Sequence, residues 1–257
     1  MKRLLLAATV LLLSSTVAAQ SPDAPGKDSV AGGVNVSASK SVIDTVAVAS
    51  PRVTTSLIGT VRTTDYTVLK TLQDSRTPAA NSLWVWVSNS FVLSPVVPGA
   101  LAVCGWTHPD SRQGDVLLTH ACEVGGALLL NAGLTMGLKA LVSRPRPWVA
   151  YPSDLYCLQH VASKSFPSGH TSFAFATATS LSLIYPRWYV VLPAYLWAGA
   201  VGYSRLYVGA HYPTDVMAGA LLGTGSALLI HALFSRLNDD SPTPAAPPAV
   251  SLSFPLN

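Results

Sequence analysis

Residues 165–173 read SFPSGHTSF, and the residues that follow to Ile184 are small or apolar. A segment with the makings of a membrane helix therefore opens on Pro167, Ser168, Gly169 and His170, groups that a hydrocarbon interior does not favour. Pro followed by Ser and Gly opens a helix readily. The first backbone N–H groups of a helix have no partner within it, and here they belong to Ser168, Gly169 and His170. With no Cβ on Gly169, a ligand can approach that backbone closely. The stretch reads as an anion cradle on a helix N-terminus, with the membrane span starting only after it.

Outward from this point the composition is that of a helical membrane protein. Of 257 residues, 49% are hydrophobic and 11% charged, outside the usual soluble range. Spanning a hydrocarbon core of ~30 Å takes ~20 helical residues. Segments near 83–106, 116–138, 168–185, 188–203 and 214–235 fit that demand. The expectation is an all-α, polytopic transmembrane bundle of about five spans plus an N-terminal segment. Pro95 and Pro98 should kink the first span, and Gly125, Gly126, Gly133 and Gly137 should let the second approach its neighbours closely. Before the spans, 64–77 has helical spacing at Tyr66, Leu69 and Leu72, suited to a surface helix.

At the amino terminus, Lys2 and Arg3 precede an apolar run that ends in Val17-Ala18-Ala19, the pattern of a signal peptide or an anchor. The chain divides into 1–19 (signal or anchor), 20–50 (disordered linker), 51–236 (membrane-embedded domain) and 237–257 (Pro-rich disordered tail). The net charge of +4 includes no basic block of the kind a nucleic-acid arm carries, so nucleic acid is excluded as a partner. Cys104, Cys122 and Cys157 form no metal-type spacing.

A chain emerging outside the cytoplasm and crossing five times places Lys139, Ser168 and the 205–215 connection on the outer face. That face carries Lys139, Arg144, Arg146, Lys164 and Arg205, against Arg112, Arg187 and Arg236 inside, which reverses the positive-inside expectation. The outer cations are taken to be held for chemistry.

Three patches meet there: Lys139-ALVSRP-Arg146-Pro147, Pro167-Ser168-Gly169-His170, and Ser204-Arg205-LYVGA-His211-YPT-Asp215. Singly, each has an ordinary reading as an interface anchor, a turn or a solvated pair. Together they supply what phosphoryl transfer needs, because a phosphate monoester carries about −1.5 to −2 charges that Lys139, Arg146 and Arg205 match. Arg offers forked donors and Lys a point charge. His211, with Asp215 four residues on, has a carboxylate for one ring nitrogen and leaves the other free to attack phosphorus. His170, beside the cradle, is placed to protonate the leaving alkoxide. Neither metal nor cofactor is required by this scheme.

These residues resemble the type 2 phosphatidic acid phosphatase superfamily, which includes bacterial acid phosphatases and vanadium haloperoxidases. Its pattern is Lys-x6-Arg-Pro, Pro-Ser-Gly-His and Ser-Arg-x5-His-x3-Asp, and every fixed position occurs here in order. The resemblance implies phosphate binding by Lys139, Arg146, Ser168, Gly169 and Arg205. It implies acid catalysis by His170, attack by His211 supported by Asp215, and metal independence. The implied partners are a lipid phosphate and the bilayer, and the implied location is a bacterial inner membrane with the site facing the periplasm.

The pattern leaves the headgroup and the oligomeric state open. Competing readings are a vanadium haloperoxidase, a phosphatase of soluble substrates, a divalent-metal site on His170, His211 and Asp215, and a transporter. His120 and Glu123, three apart on the second span, are expected to hydrogen-bond between helices. His108, His160 and His231 suggest no partners.

Overall fold

The structure is a computed structural model that describes residues 51–109, 111–160 and 163–238. The expected signal segment, the linker and most of the tail lie outside the described residues. Among the described residues eight α-helices and one 3-10 turn follow in order: α1 (Pro51–Asp74), α2 (Pro78–Asn89), the turn Ser90–Val92, α3 (Leu93–Trp106), α4 (Arg112–Val142), α5 (Pro147–Ala150), α6 (Gly169–Ile184), α7 (Trp188–Tyr207) and α8 (Pro213–Asn238). No strand occurs among the described residues, so the all-helical expectation holds.

Among the described residues three stretches are long and apolar enough to cross a membrane: Pro78–Trp106, Arg112–Ala150 and Pro213–Leu237. The α6 and α7 segments of the expected five fall short of that standard. For α6 the reason is position. Its 16 residues reach only ~24 Å, and α4, α7 and α8 all pack against it. Its Thr171, Ser172, Ala174, Ala176, Thr177, Ala178, Thr179 and Ser180 are all buried. A helix enclosed by other helices does not need side chains that match lipid. It needs small ones that let neighbours approach.

Local signals set the element ends. Thr77 caps α2 by accepting from the Ala80 N–H, and Pro78 fills the first turn. Ser111 caps α4 through the Gly114 N–H at 3.0 Å. The expected proline break appears at Ser90–Val92. Pro95 has no N–H for the Phe91 carbonyl four residues back, so the helix tightens there before α3 resumes. This break sets the Phe91 ring against His170, with centroids 3.8 Å apart.

The closest backbone approach differs from the expectation. A Cβ on Gly133 or Gly137 would meet nothing within 4 Å, so these glycines of α4 do not mediate tight packing. Instead α8 presses on α6 through Gly219 and Gly223. A Cβ there would stand 2.5 Å from the Ser168 carbonyl oxygen and 2.1 Å from that of Ser172. The surface helix expected over 64–77 begins earlier, at Pro51, and ends at Asp74. Its Leu69 packs with Leu155 and Tyr212 over the loops at one end of the bundle.

Candidate active site

That end of the bundle collects the C-terminus of α4, the N-termini of α6 and α8, and the connection from α7 to α8. Gly209, at φ 77°, turns the chain after α7. A Cβ there would lie 2.7 Å from the Tyr156 carbonyl oxygen, so the turn demands glycine on both counts. The turn delivers His211 into the interior, where it is 2% exposed, with Arg205 and Arg146 at 1% and 4%.

No carboxylate pairs with either arginine among the described residues. Arg205 donates from Nη1 to Ser88 Oγ and to Gln159 Oε1 at 3.0 Å, while its buried Nε and Nη2 have no acceptor. Arg146 is aimed by Ser163, whose carbonyl and hydroxyl oxygens accept at 2.7 and 2.8 Å, and by the Ala210 carbonyl at 2.8 Å. Lys139, in the last turn of α4, donates to the Lys164 carbonyl at 2.7 Å. A buried cation without a counterion is costly unless a ligand supplies the charge. Two such cations beside one imidazole give the site an excess of positive charge that an anion would balance.

Arg146 Nη1 stands 3.2 Å from His211 Nε2. A guanidinium can only donate, so Nε2 is the acceptor and the ring proton sits on Nδ1, toward Asp215. Burial first, then the charges of Arg146, Arg205 and Lys139, hold the His211 pKa well below its ordinary value. The ring is therefore a neutral base with its lone pair in the anion pocket. Asp215 is fully buried, and its Oδ2 lies 3.6 Å from His211 Nδ1, at ion-pair rather than hydrogen-bond distance. That oxygen accepts instead from Ser165 Oγ and from the Tyr212 N–H at 3.0 Å. Its other oxygen, Oδ1, accepts from Arg144 at 2.7 Å.

The cradle is smaller than expected. The Ser168 N–H donates to the Asp215 backbone carbonyl at 3.0 Å, so it is not open to a ligand. The Ser168 hydroxyl pairs with Thr171 Oγ1 at 2.9 Å. Gly169 and His170 form the first turn of α6, and Lys139, Arg146, Arg205 and His211 all lie within coulombic range of His170. The structure thus gathers Lys139, Arg146, Gly169, His170, Arg205, His211 and Asp215, and gives Ser168 the task of tying α6 to α8.

Sequence reading passed over Ser88, Gln159, Ser163, Ser165 and the role of Arg144. Only Arg144 carried a signal, the doubled Arg-Pro at 144–147. Far from this site, His231 Nδ1 meets Glu123 Oε1 at 2.6 Å between α8 and α4, and His120 meets the Tyr185 hydroxyl at 3.3 Å. The interhelical bonds expected of His120 and Glu123 are present, and His231 has a partner the sequence did not reveal. Among the described residues no group of three or more His, Cys, Asp or Glu is arranged to hold a metal ion.

An all-helical protein with membrane-length helices that gathers buried arginines and histidines at one end belongs to the class of helical membrane proteins. Residues 120–239 match the PAP2 superfamily. Over 164 residues the chain is 30% identical to the putative undecaprenyl-diphosphatase YbjG of Escherichia coli, covering 61% of this chain and 78% of that one. It is 36% identical over 104 residues to a lipid A 1-phosphatase of Rhizobium johnstonii, covering 38% of this chain and 41% of the relative. Among solved structures, a transmembrane PAP2-type phosphatidylglycerolphosphate phosphatase from Bacillus subtilis superposes with TM-score 0.57 at 25% identity, over 69% of this chain and 88% of that one. The chain belongs to the PAP2 superfamily. Several of the curated relatives it matches are covered over less than half of their own length.

Proposed function

We propose that the protein hydrolyses a phosphate monoester or diphosphate on a membrane lipid through a phosphohistidine on His211, at the outer face of a bacterial inner membrane. The observation that carries this reading is the pair of buried arginines with no carboxylate partner among the described residues, Arg146 and Arg205, of which Arg146 donates to Nε2 of the His211 imidazole. Family membership supports phosphatase chemistry. The relatives' names, a lipid A phosphatase and an undecaprenyl-diphosphatase, support a lipid carrier of the phosphate.

In the first step Arg146, Arg205 and Lys139 bind the phosphoryl oxygens, and the Gly169 and His170 N–H groups add neutral donors. The Nε2 lone pair of His211 forms the N–P bond as the P–O bond to the lipid breaks. His170, whose protonated form the negative charge of the bound phosphate favours, gives its proton to the leaving oxygen. In the second step His170 takes a proton from water, whose oxygen attacks phosphorus. The N–P bond breaks, and inorganic phosphate leaves with His211 restored. Asp215 stabilises the ring while it carries positive charge. All of these groups come from the chain itself, so the scheme is independent of metal.

Purified protein tested on a panel of lipid phosphates should release phosphate, with a chelator present and without it. His211→Ala should lower turnover by at least about 10³-fold while leaving the helical content and thermal midpoint intact. Undiminished hydrolysis by that variant would remove His211 from the reaction. Flux of substrate across vesicles by a hydrolytically dead variant would favour a transporter.

A further inference from the structure

The aspartate that supports His211 is itself held by a second aspartate from a distant part of the chain. Arg144 spreads its fork between them, with Nη1 on Asp215 Oδ1 and Nη2 on Asp65 Oδ2, each at 2.7 Å. The guanidinium carbon lies over the Tyr212 ring, 3.8 Å from its centroid. Asp65 is 1% exposed. It accepts from the Thr214 hydroxyl at 2.6 Å and from the Thr214 N–H at 3.1 Å, at the very start of α8. Thr214 Oγ1 in turn accepts from Arg144 Nη1 at 2.7 Å. The bundle's pocket thus depends on a carboxylate from α1, outside the 120–239 stretch that matches the family.

Charge explains why two carboxylates serve one guanidinium. His211 becomes cationic as its N–P bond forms, in a pocket already facing Lys139, Arg146 and Arg205. Asp215 paired only with Arg144 would present that ring with no net negative charge. Asp65 draws on the same guanidinium, and the group of Asp65, Arg144 and Asp215 carries a net charge of about −1 when all three are ionised.

We propose that Asp65 is a positioning residue for the reaction at His211, acting through Arg144 to orient Asp215 and to keep it electron-rich toward the imidazole. The inference rests on the function proposed above. Asp65→Asn keeps the size and an acceptor for Thr214 but removes the charge. Per folded molecule it should lower kcat by about 10- to 100-fold with KM changed less than about twofold, and slow the appearance of radiolabelled phosphohistidine to match. Arg144→Gln should do the same, and the double variant should be no worse than Arg144→Gln alone, because one chain of contacts is broken at two points. Wild-type kcat in folded Asp65→Asn would overturn the proposal. So would losses that add fully in the double variant, the behaviour of a contact that merely holds α1 down. Both outcomes require an active wild type, so failure of the wild-type enzyme on every lipid phosphate points instead to the function itself.

Discussion

The imidazole of His211 is the group whose chemistry departs furthest from its free behaviour. An unperturbed histidine titrates near 6.5, and burial with three neighbouring cations pushes this one well below. The unfolded chain therefore takes up a proton at this residue as pH falls through about 6.5, while the folded chain does not. Stability from this group is complete above that pH and is lost progressively as pH falls toward the lower, folded value. His211→Gln has no such titration. The thermal midpoint of the wild-type protein should fall more steeply than that of His211→Gln between about pH 7 and 5, and the two should run parallel above about 7.5. Parallel curves throughout would mean that the ring is not shielded as described. The residues of the three motifs were legible because their chemistry is written in residue type and spacing. Asp65, Ser88, Gln159 and Ser163 were not, because a serine or an aspartate acquires such a role only when separate elements fold against the site. Ser168 was legible as part of the motif but not in its use, since the partner of its N–H is the carbonyl of Asp215 on another helix.

At the scale of elements, the break at Ser90–Val92 followed from Pro95 alone, since the ring and missing N–H act within one turn. Helix contacts were harder to read. Glycines recur on both α4 and α8, and composition does not say which of them faces a neighbour. Only the folded arrangement shows that Gly223 lies against α6, where a Cβ would also stand 2.8 Å from the Ala176 nitrogen. Backbone cannot yield there as a flexible side chain would. Gly223→Ala should therefore push α8 from α6 and destabilise the protein by about 1–3 kcal/mol, moving the Ser168–Asp215 tie and lowering activity with it. Gly133→Ala meets open space and should be neutral or stabilising by up to about 1 kcal/mol. Thermal midpoints and turnover of the two variants in detergent check the contrast. Equal effects would reject the assignment of the α6–α8 contact as the tight one.

The whole molecule has two unlike ends. One carries the anion pocket and the loops above it, with Ser153 exposed among them. The other carries the α3–α4 connection and the first turn of α4, where Gln113 is exposed, and the basic residues Arg112 and Arg187. Charge counting assigns the more basic face to the cytoplasm, which would turn the pocket inward. Several cations at the pocket end are committed within the fold. Arg144 is paired with Asp65 and Asp215, while Arg146 and Arg205 are buried. Lys70, Arg76, Lys139 and Lys164 remain at the pocket end against Arg112, Arg187 and Arg236 at the other, so charge counting and the orientation proposed above predict opposite outcomes. In intact cells, with Cys104 replaced to lower background, a membrane-impermeant maleimide should label Ser153→Cys and leave Gln113→Cys unmodified until the membrane is opened. The reverse pattern would place the pocket in the cytoplasm, and substrate would then have to be drawn from the inner leaflet.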